Sequence, residues 1–66
     1  MDKEEYEALK AKFLKLFASV PLPLRNEIIA LADSQPISWT AAYGEIKQDT
    51  DEAKVILTHL KQIGLV

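Results

Sequence analysis

The stretch that decides the expected fold is ISWTAAYGEIKQDTDEAKVILTHLKQIGLV, residues 37–66. Its apolar side chains recur at steps of three and four over residues 39–48 and again over residues 51–63, which is the spacing of one face of an α-helix. The two apolar faces consist of Trp39, Ala42, Tyr43 and Ile46, and of Ala53, Ile56, Leu57, Leu60 and Ile63. This pattern predicts two short helices joined by a polar turn.

Residues at the ends of these two segments favour helix starts and stops. Ser38 is a candidate N-cap, because its hydroxyl can accept a hydrogen bond from an otherwise unpaired backbone N–H. Asp49, Thr50 and Asp51 are three candidate N-caps in a row for the second segment. Gly64 follows that segment and supplies the left-handed residue with which many helices end. The capping residues therefore support both helices independently of the apolar pattern.

Two further helices are expected on the N-terminal side of this stretch. The longer one runs over residues 2–19, with an apolar face of Tyr6, Leu9, Phe13, Leu16, Phe17 and Val20. Pro21 and Pro23 interrupt it, because proline cannot donate to the helical hydrogen bonds. Proline is tolerated in a first turn, so a second helix is predicted over residues 23–32, with an inner face of Leu24, Ile28 and Leu31. A polar turn that stops at Pro36 follows.

The expected fold class is all-α: a compact bundle of about four helices that forms one domain over residues 1–66 and ends in a helix-turn-helix-like pair. A chain of this length buries only about 60% of the surface that it exposes when unfolded, so a single core is expected. The composition, 48% hydrophobic and 27% charged, is that of a globular domain. No segment alternates well enough to predict a strand, and only Ile37 to Trp39 leave room for a brief pairing.

A second pattern within residues 37–66 concerns the packing of the two predicted helices. It consists of Ala42 as a small residue inside the first helix, the polar turn of residues 47–50, and the ending Leu57-x-x-Leu60-x-x-x-Gly64-Leu65-Val66. These features resemble the helix-turn-helix half of a small winged-helix domain of the archaeal and bacterial regulator type. The resemblance implies that the last helix is a recognition helix and that the Gly-Leu-Val step begins a wing. The wing itself is expected to be lacking, because the sequence ends at Val66.

The charges near the last helix weigh for and against DNA binding. The candidates for nucleic-acid contact are Lys47, Lys54, Thr58 and Lys61. The N-terminal positions of a recognition helix normally meet base edges and phosphates, yet here they carry Asp51 and Glu52. The net charge of −2 also opposes attraction to phosphate. DNA binding is therefore an open but disfavoured alternative.

Apolar residues away from the main helical faces suggest a protein partner. The candidate interface residues are Ile29, Val55 and the neighbouring His59. The partner would be another copy of the chain or a different protein. The leading hypothesis is a small non-enzymatic regulatory or protein-interaction module. The alternative is a minimal DNA-binding domain, like that of a transcription regulator, which uses the last helix.

The residue types present argue against several other functions. The chain has no Cys and only one His, so neither a thiol nucleophile nor a cysteine-based zinc site is expected. No glycine-rich phosphate loop is present, and we expect no cofactor, metal or small-molecule ligand. The longest apolar run, residues 28–32, is far shorter than the roughly 20 residues that span a bilayer. The start of the chain is acidic, unlike a secretory leader. We therefore expect no membrane contact and a cytoplasmic location.

Four further residues are expected to have structural roles. Trp39 and Tyr43 are expected to contribute mainly to the core, because so small a domain needs its aromatic area for stability. Gly44 is expected to let two helices approach closely. Arg25 is expected to form a local ion pair.

Overall fold

The computed structural model describes residues 1–66 and contains three α-helices and a β-hairpin. In chain order the elements are α1 (Lys3–Ala18), a 3₁₀ turn (Leu22–Leu24), β1 (Ile28–Ala32), β2 (Gln35–Ser38), α2 (Trp39–Lys47) and α3 (Asp51–Gln62). The two strands form one antiparallel sheet. The prediction of an all-α bundle of four helices is therefore wrong, because a hairpin replaces the second of the four helices.

Helix α1 buries four of the six residues of its predicted apolar face, while Leu16 is exposed and Val20 lies beyond the end of the helix. The side chain of Asp2 caps its start by accepting a hydrogen bond from the backbone N–H of Glu5 at 2.7 Å. Its buried residues are Tyr6, Leu9, Phe13 and Phe17. The observed range lies one residue inside the predicted residues 2–19 at each end, so this helix is confirmed.

The segment predicted as a helix over residues 23–32 turns back on itself instead. Asp33 and Ser34 have positive φ angles of 50° and 68°, and they form the two-residue loop between β1 and β2. Such loops twist in the sense that antiparallel strands require. The β-branched Ile28 and Ile29 also suit a strand better than a helix.

A bulge explains why no alternating pattern is visible in β1. The regular part of the register pairs Ala30 with Ile37, Leu31 with Pro36 and Ala32 with Gln35. The register then shifts between Ile28 and Ala30, so one extra residue interrupts the period of two. The expected brief pairing of Ile37 and Ser38 is found in β2, whereas Trp39 begins α2.

The apolar residues assigned to the inner face of the missing helix lie at the surface. Leu24 is 45% exposed, Ile28 56% and Leu31 61%. On a helix these three residues share a face, but a strand alternates its side chains. In β1 it is Ala32 that points into the core, while its neighbour Leu31 points outward.

Helices α2 and α3 are confirmed within one residue of their predicted ends. The Ser38 hydroxyl accepts a hydrogen bond from the backbone N–H of Ala41 at 3.1 Å, as expected of an N-cap. Of the three candidate caps for α3, Thr50 is the one used, and its hydroxyl accepts from the backbone N–H of Ala53 at 3.3 Å. Gly64 follows α3 with a φ of 82°, in the left-handed region.

All three helices and β1 contribute to a single core. Its buried residues are Tyr6, Leu9, Phe13, Phe17, Ala32, Ala42, Ile46, Ala53, Ile56, Leu57 and Leu60. The half-buried Trp39 stacks on Phe13 with 5.7 Å between ring centroids, and Tyr43 stacks on Phe17 at 4.3 Å. Both rings therefore pack against the core, as expected.

Two of the structural expectations are wrong. A Cβ atom added at Gly44 would meet no atom within 4 Å, so this glycine permits no close helix approach. Arg25 forms no ion pair. Its guanidinium lies 4.4 Å from the centroid of the Phe17 ring, and its Nε donates to the carbonyl of Val20 at 3.0 Å. The carbonyl and the ring face take the place of the expected acid.

Candidate functional site

The turn between α2 and α3 is bound to α1 by side-chain contacts. Asp49 lies in this turn with a positive φ of 54°. Its Oδ1 accepts a hydrogen bond from the Tyr6 hydroxyl at 2.6 Å and another from the Lys10 Nζ at 2.8 Å. Asp49 was one of the predicted helix caps, and the structure gives it this long-range role instead. The contacts fix α1 against the start of α3.

The ionisation of this cluster suits a structural role. Hydrogen bonding to Lys10, and then to Tyr6, holds the pKa of Asp49 below its usual range. Burial, followed by the hydrogen bond to Asp49, raises the pKa of Tyr6 to about 12. Asp49 is therefore charged and Tyr6 neutral around neutral pH. Neither group is set to exchange a proton there, so the cluster offers no acid–base chemistry.

The predicted nucleic-acid residues are exposed, but two of them already have partners. The Nζ of Lys61 pairs with Oε2 of Glu5 on α1 at 2.5 Å. The hydroxyl of Thr58 donates to the carbonyl of Lys54 at 2.8 Å, within the same helix. The Lys61 charge is thus partly neutralised before any phosphate arrives.

Lys47 and Lys54 remain without an acidic partner, because the two ion pairs of the chain involve Lys10 and Lys61. The Nζ of Lys47 lies 5.4 Å from the centroid of the Tyr43 ring, at the end of α2. Lys54 is exposed in the first half of α3. Among the four predicted nucleic-acid residues, these two lysines are the cations still free to meet a phosphate backbone.

An acidic groove lies between the hairpin and the last two helices. Its volume is about 510 Å³, and its lining residues are Ala32, Asp33, Gln35, Ile37, Ala41, Glu45, Glu52 and Ile56. None of its three carboxylates forms an ion pair, although Glu45 accepts a hydrogen bond from the Thr50 hydroxyl. The groove therefore places uncompensated negative charge beside the start of α3, where it would repel a DNA backbone.

The three predicted interface residues are half-buried rather than exposed. Ile29 in β1 and Val55 in α3 pack against the core. His59 is one turn beyond Val55, and its side chain forms no hydrogen bond or ion pair. The structure thus places His59 and Val55 on neighbouring turns of α3, and Ile29 on a different element.

Exposed apolar side chains that were not among the predicted interface residues lie close together in the sequence. Four large apolar side chains between residues 22 and 31 are between 45% and 74% exposed. We call Leu22, Leu24, Ile28 and Leu31 the exposed apolar group. The one signal in the sequence is the pair of turn-forming residues Asp33 and Ser34, which follow the apolar run of residues 28–32. Such residues mark a turn, but by themselves they do not distinguish a hairpin from the end of a helix.

Comparison of the chain with protein-family models, curated proteins and solved structures finds no significant match. No helix of the structure is both long enough and apolar enough to cross a membrane. No three His, Asp or Glu side chains are grouped so that they could hold a metal ion.

Proposed function

We propose that this domain is a small non-enzymatic module that binds another protein, in a regulatory or assembly role, through its exposed apolar group. The observation that supports this proposal is the exposure of four large apolar side chains in one short segment. Scattered single apolar residues are ordinary on a protein surface, whereas groups of them mark interaction sites. The helix-turn-helix-like pair, α2 and α3, is the scaffold that carries the hairpin in this proposal.

The energy available from the exposed apolar group is sufficient for a specific contact. Full burial of one Leu or Ile side chain is worth about 1.5–3 kcal/mol. The four side chains are between 45% and 74% exposed, so covering them contributes about half of that each. The sum is about 3–6 kcal/mol, part of which offsets the cost of association. Such a surface supports transient binding and needs neighbouring residues for tight binding.

Minimal DNA binding is the alternative, and two unpaired lysines on or beside the last helix, Lys47 and Lys54, favour it. Lys47 and Lys54 are exposed beside or within the helix that the winged-helix resemblance would place on DNA. The ion pair of Lys61 and the acidic groove weigh against it. A cytoplasmic location is part of both proposals, and the lack of cysteine is compatible with it.

An NMR titration with duplex DNA separates the two functions. At low salt, we expect no saturable shift of the backbone amides between Trp39 and Lys61. The alternative requires shifts that weaken steeply as salt rises. It also requires that Lys54→Glu abolish them while Lys12→Glu does not. Lys12 is a suitable control, because it is exposed on α1 and unpaired. That pattern would replace the protein-interaction proposal with the DNA-binding one.

Site-specific photo-crosslinking tests protein binding directly. A photoreactive residue at position 24, within the exposed apolar group, is expected to form adducts with protein in cells that express the chain. Leu31→Lys should reduce the adducts, while Ile63→Lys should not, although Ile63 is equally exposed. Absence of protein adducts at this position, or equal loss in both variants, would contradict the proposal.

A further inference from the structure

The open edge of strand β1 carries backbone groups without a partner. Residues 33 and 34 form a two-residue loop, so the carbonyl of Ala32 accepts a hydrogen bond from the N–H of Gln35, and this pair is hydrogen-bonded across the hairpin. Hydrogen-bonded and non-hydrogen-bonded pairs alternate along an antiparallel ladder. The next pair, Leu31 and Pro36, is therefore not hydrogen-bonded. The N–H and the C=O of Leu31 point away from β2.

Nothing else in the fold takes these two groups. Outside the helices and the hairpin ladder, no backbone hydrogen bond of the chain involves residues 28–34. No side-chain hydrogen bond reaches them either. Leu31 is 61% exposed, whereas its neighbour Ala32 is buried in the core. An unpaired and exposed strand edge is a template on which another extended chain can pair.

The two edges of the hairpin differ in their capacity to pair. The outward position of β2 opposite Leu31 is Pro36, which has no N–H to donate. Strand β1, residues 28–32, contains neither a proline nor a charged residue, which are the residues that commonly protect exposed edges against pairing. A third strand is therefore expected on β1 and not on β2.

We propose that β1 binds an extended segment of another protein, which adds to the hairpin as a third strand through the N–H and C=O of Leu31. The inference rests on the proposed function and names the form of its partner. The hydrogen-bonding groups select this occupant, because an extended backbone presents a donor and an acceptor at the matching spacing. The exposed side chain of Leu31 then lies beside a side chain of the added strand. Three strands also form a more stable sheet than two.

A flexible segment fits this edge better than a second copy of the chain. The register of β1 is regular only over residues 30–32, because a bulge interrupts it toward Ile28. Two rigid edges of this kind would match over that short stretch alone, whereas a flexible segment can follow the edge past the bulge. The partner segment is accordingly an unstructured tail or loop that becomes ordered on binding.

NMR spectroscopy of the whole chain tests the edge in two steps. In the free chain, the Leu31 amide should exchange with solvent faster than the amides of Ala30 and Ala32, which donate across the hairpin. The binding probe is a short uncharged peptide of alternating threonine and valine, acetylated and amidated at its ends. At about 5 mM, the peptide should shift the Leu31 amide resonance saturably and slow its exchange at least about threefold. The same peptide, methylated on two successive central amide nitrogens, should do neither, because neither of its edges can then pair.

Two substitutions at position 31 separate the backbone from the side chain. Leu31→Pro removes the outward N–H and breaks no hydrogen bond of the hairpin, because this position is not hydrogen-bonded to β2. Leu31→Ala keeps the N–H and removes most of the side chain. The affinity for the peptide should fall at least about tenfold in Leu31→Pro and less than about threefold in Leu31→Ala. Circular dichroism verifies folding, and the methylated peptide decides the question on the parent chain if Leu31→Pro does not fold.

Several results would overturn strand addition. One is a Leu31 amide that is already protected from exchange in the free chain, since the edge would then be occupied. Others are a peptide that does not bind, that binds without moving this resonance, or that binds equally well when methylated. A dimer of the chain alone that Leu31→Pro dissociates would identify a second copy as the occupant and would also contradict the proposal.

These outcomes are distinguishable from failure of the proposed function. If the photo-crosslinks from position 24 are lost in Leu31→Lys but persist in Leu31→Pro, protein binding stands and strand addition is wrong. If position 24 forms no adducts although the peptide pairs with β1, the proposed function is wrong and the edge still binds a strand. If the adducts are lost in Leu31→Pro and kept in Leu31→Ala, both proposals are supported. If neither adducts nor peptide binding are found, both are wrong.

Discussion

The two glycines of the chain predict opposite effects for the same substitution. Gly44 lies inside α2, where an added Cβ would meet no atom within 4 Å. Gly64 ends α3 with a φ of 82°, a conformation that L-residues with side chains adopt only at a cost. Replacing Gly44 with alanine therefore tests the space around α2, and replacing Gly64 with alanine tests the backbone conformation at the end of α3.

The expected magnitudes follow from the backbone of each site. Gly44→Ala should raise the free energy of unfolding by about 0.5–1 kcal/mol, because alanine loses less backbone entropy in a helix. Gly64→Ala meets a left-handed penalty of about 1–2 kcal/mol, offset by about 0.5 kcal/mol from a less flexible unfolded chain. The net loss is about 1 kcal/mol. In a domain of this size, 1 kcal/mol moves the melting temperature by about 4–8 °C.

Urea unfolding measures both changes. Fluorescence of Trp39 reports the transition, since its ring stacks on Phe13 in the folded state. If the Gly44→Ala variant is less stable than the parent, α2 has a close neighbour at Gly44, as expected from the sequence. The space around Gly44 is then not open, and the reasoning is refuted. If the Gly64→Ala variant has the same free energy of unfolding as the parent, residue 64 does not adopt the left-handed conformation at the end of α3.

Other substitutions and pH changes test the core and the α1 contacts. Because the folded-state pKa of Asp49 lies below the ordinary 3.8, its contribution to stability is complete above that pH and disappears as pH falls through the folded-state value. The urea midpoint of the parent chain should therefore fall as the pH is lowered from neutral to acidic values. The midpoint of the Asp49→Asn variant should not show this part of the fall. The pKa of Tyr6 is raised from 10.0 to about 12, so its contribution is complete below pH 10 and is lost as pH rises toward 12. The ultraviolet titration of phenolate should show a step near pH 12, and Tyr6→Phe should remove that step. Phe13→Ala should cost about 3–5 kcal/mol, because Phe13 is completely buried, and calorimetry should find the variant largely unfolded. Lys61→Ala should cost less than about 1 kcal/mol in the same measurement, since its ion pair with an acid on α1 is solvent-exposed.

The three helices were predictable from the sequence because several local signals agree in each. In α2, the apolar spacing and the Ser38 cap point to the same start, and the structure places it there. In α3, the apolar spacing, the cap at Thr50 and the stop at Gly64 do the same. Local agreement of this kind is what makes a short segment predictable.

Neither the hairpin nor the long-range side-chain contacts could be predicted from the sequence, and the reasons differ. Leu24, Ile28 and Leu31 have helical spacing, and the bulge removes the alternation that would have revealed a strand. The ion pair between Lys61 and Glu5 joins residues 56 positions apart, which no local pattern can show. The candidate DNA contact at Lys61 therefore looked available in the sequence and is already occupied in the fold.

The misplaced helix and the proposed interaction surface are the same feature. Leu24, Ile28 and Leu31 were assigned to a core because their composition and spacing suit burial, yet the folded chain leaves them in water. Conflicts between local composition and the final environment are expected to concentrate at functional sites. Packing against another molecule would remove the conflict without changing the hairpin, because the register already turns Leu31 and Pro36 outward together. The side chains that misled the sequence analysis are thus the ones whose burial in a complex would make this sequence consistent with its structure.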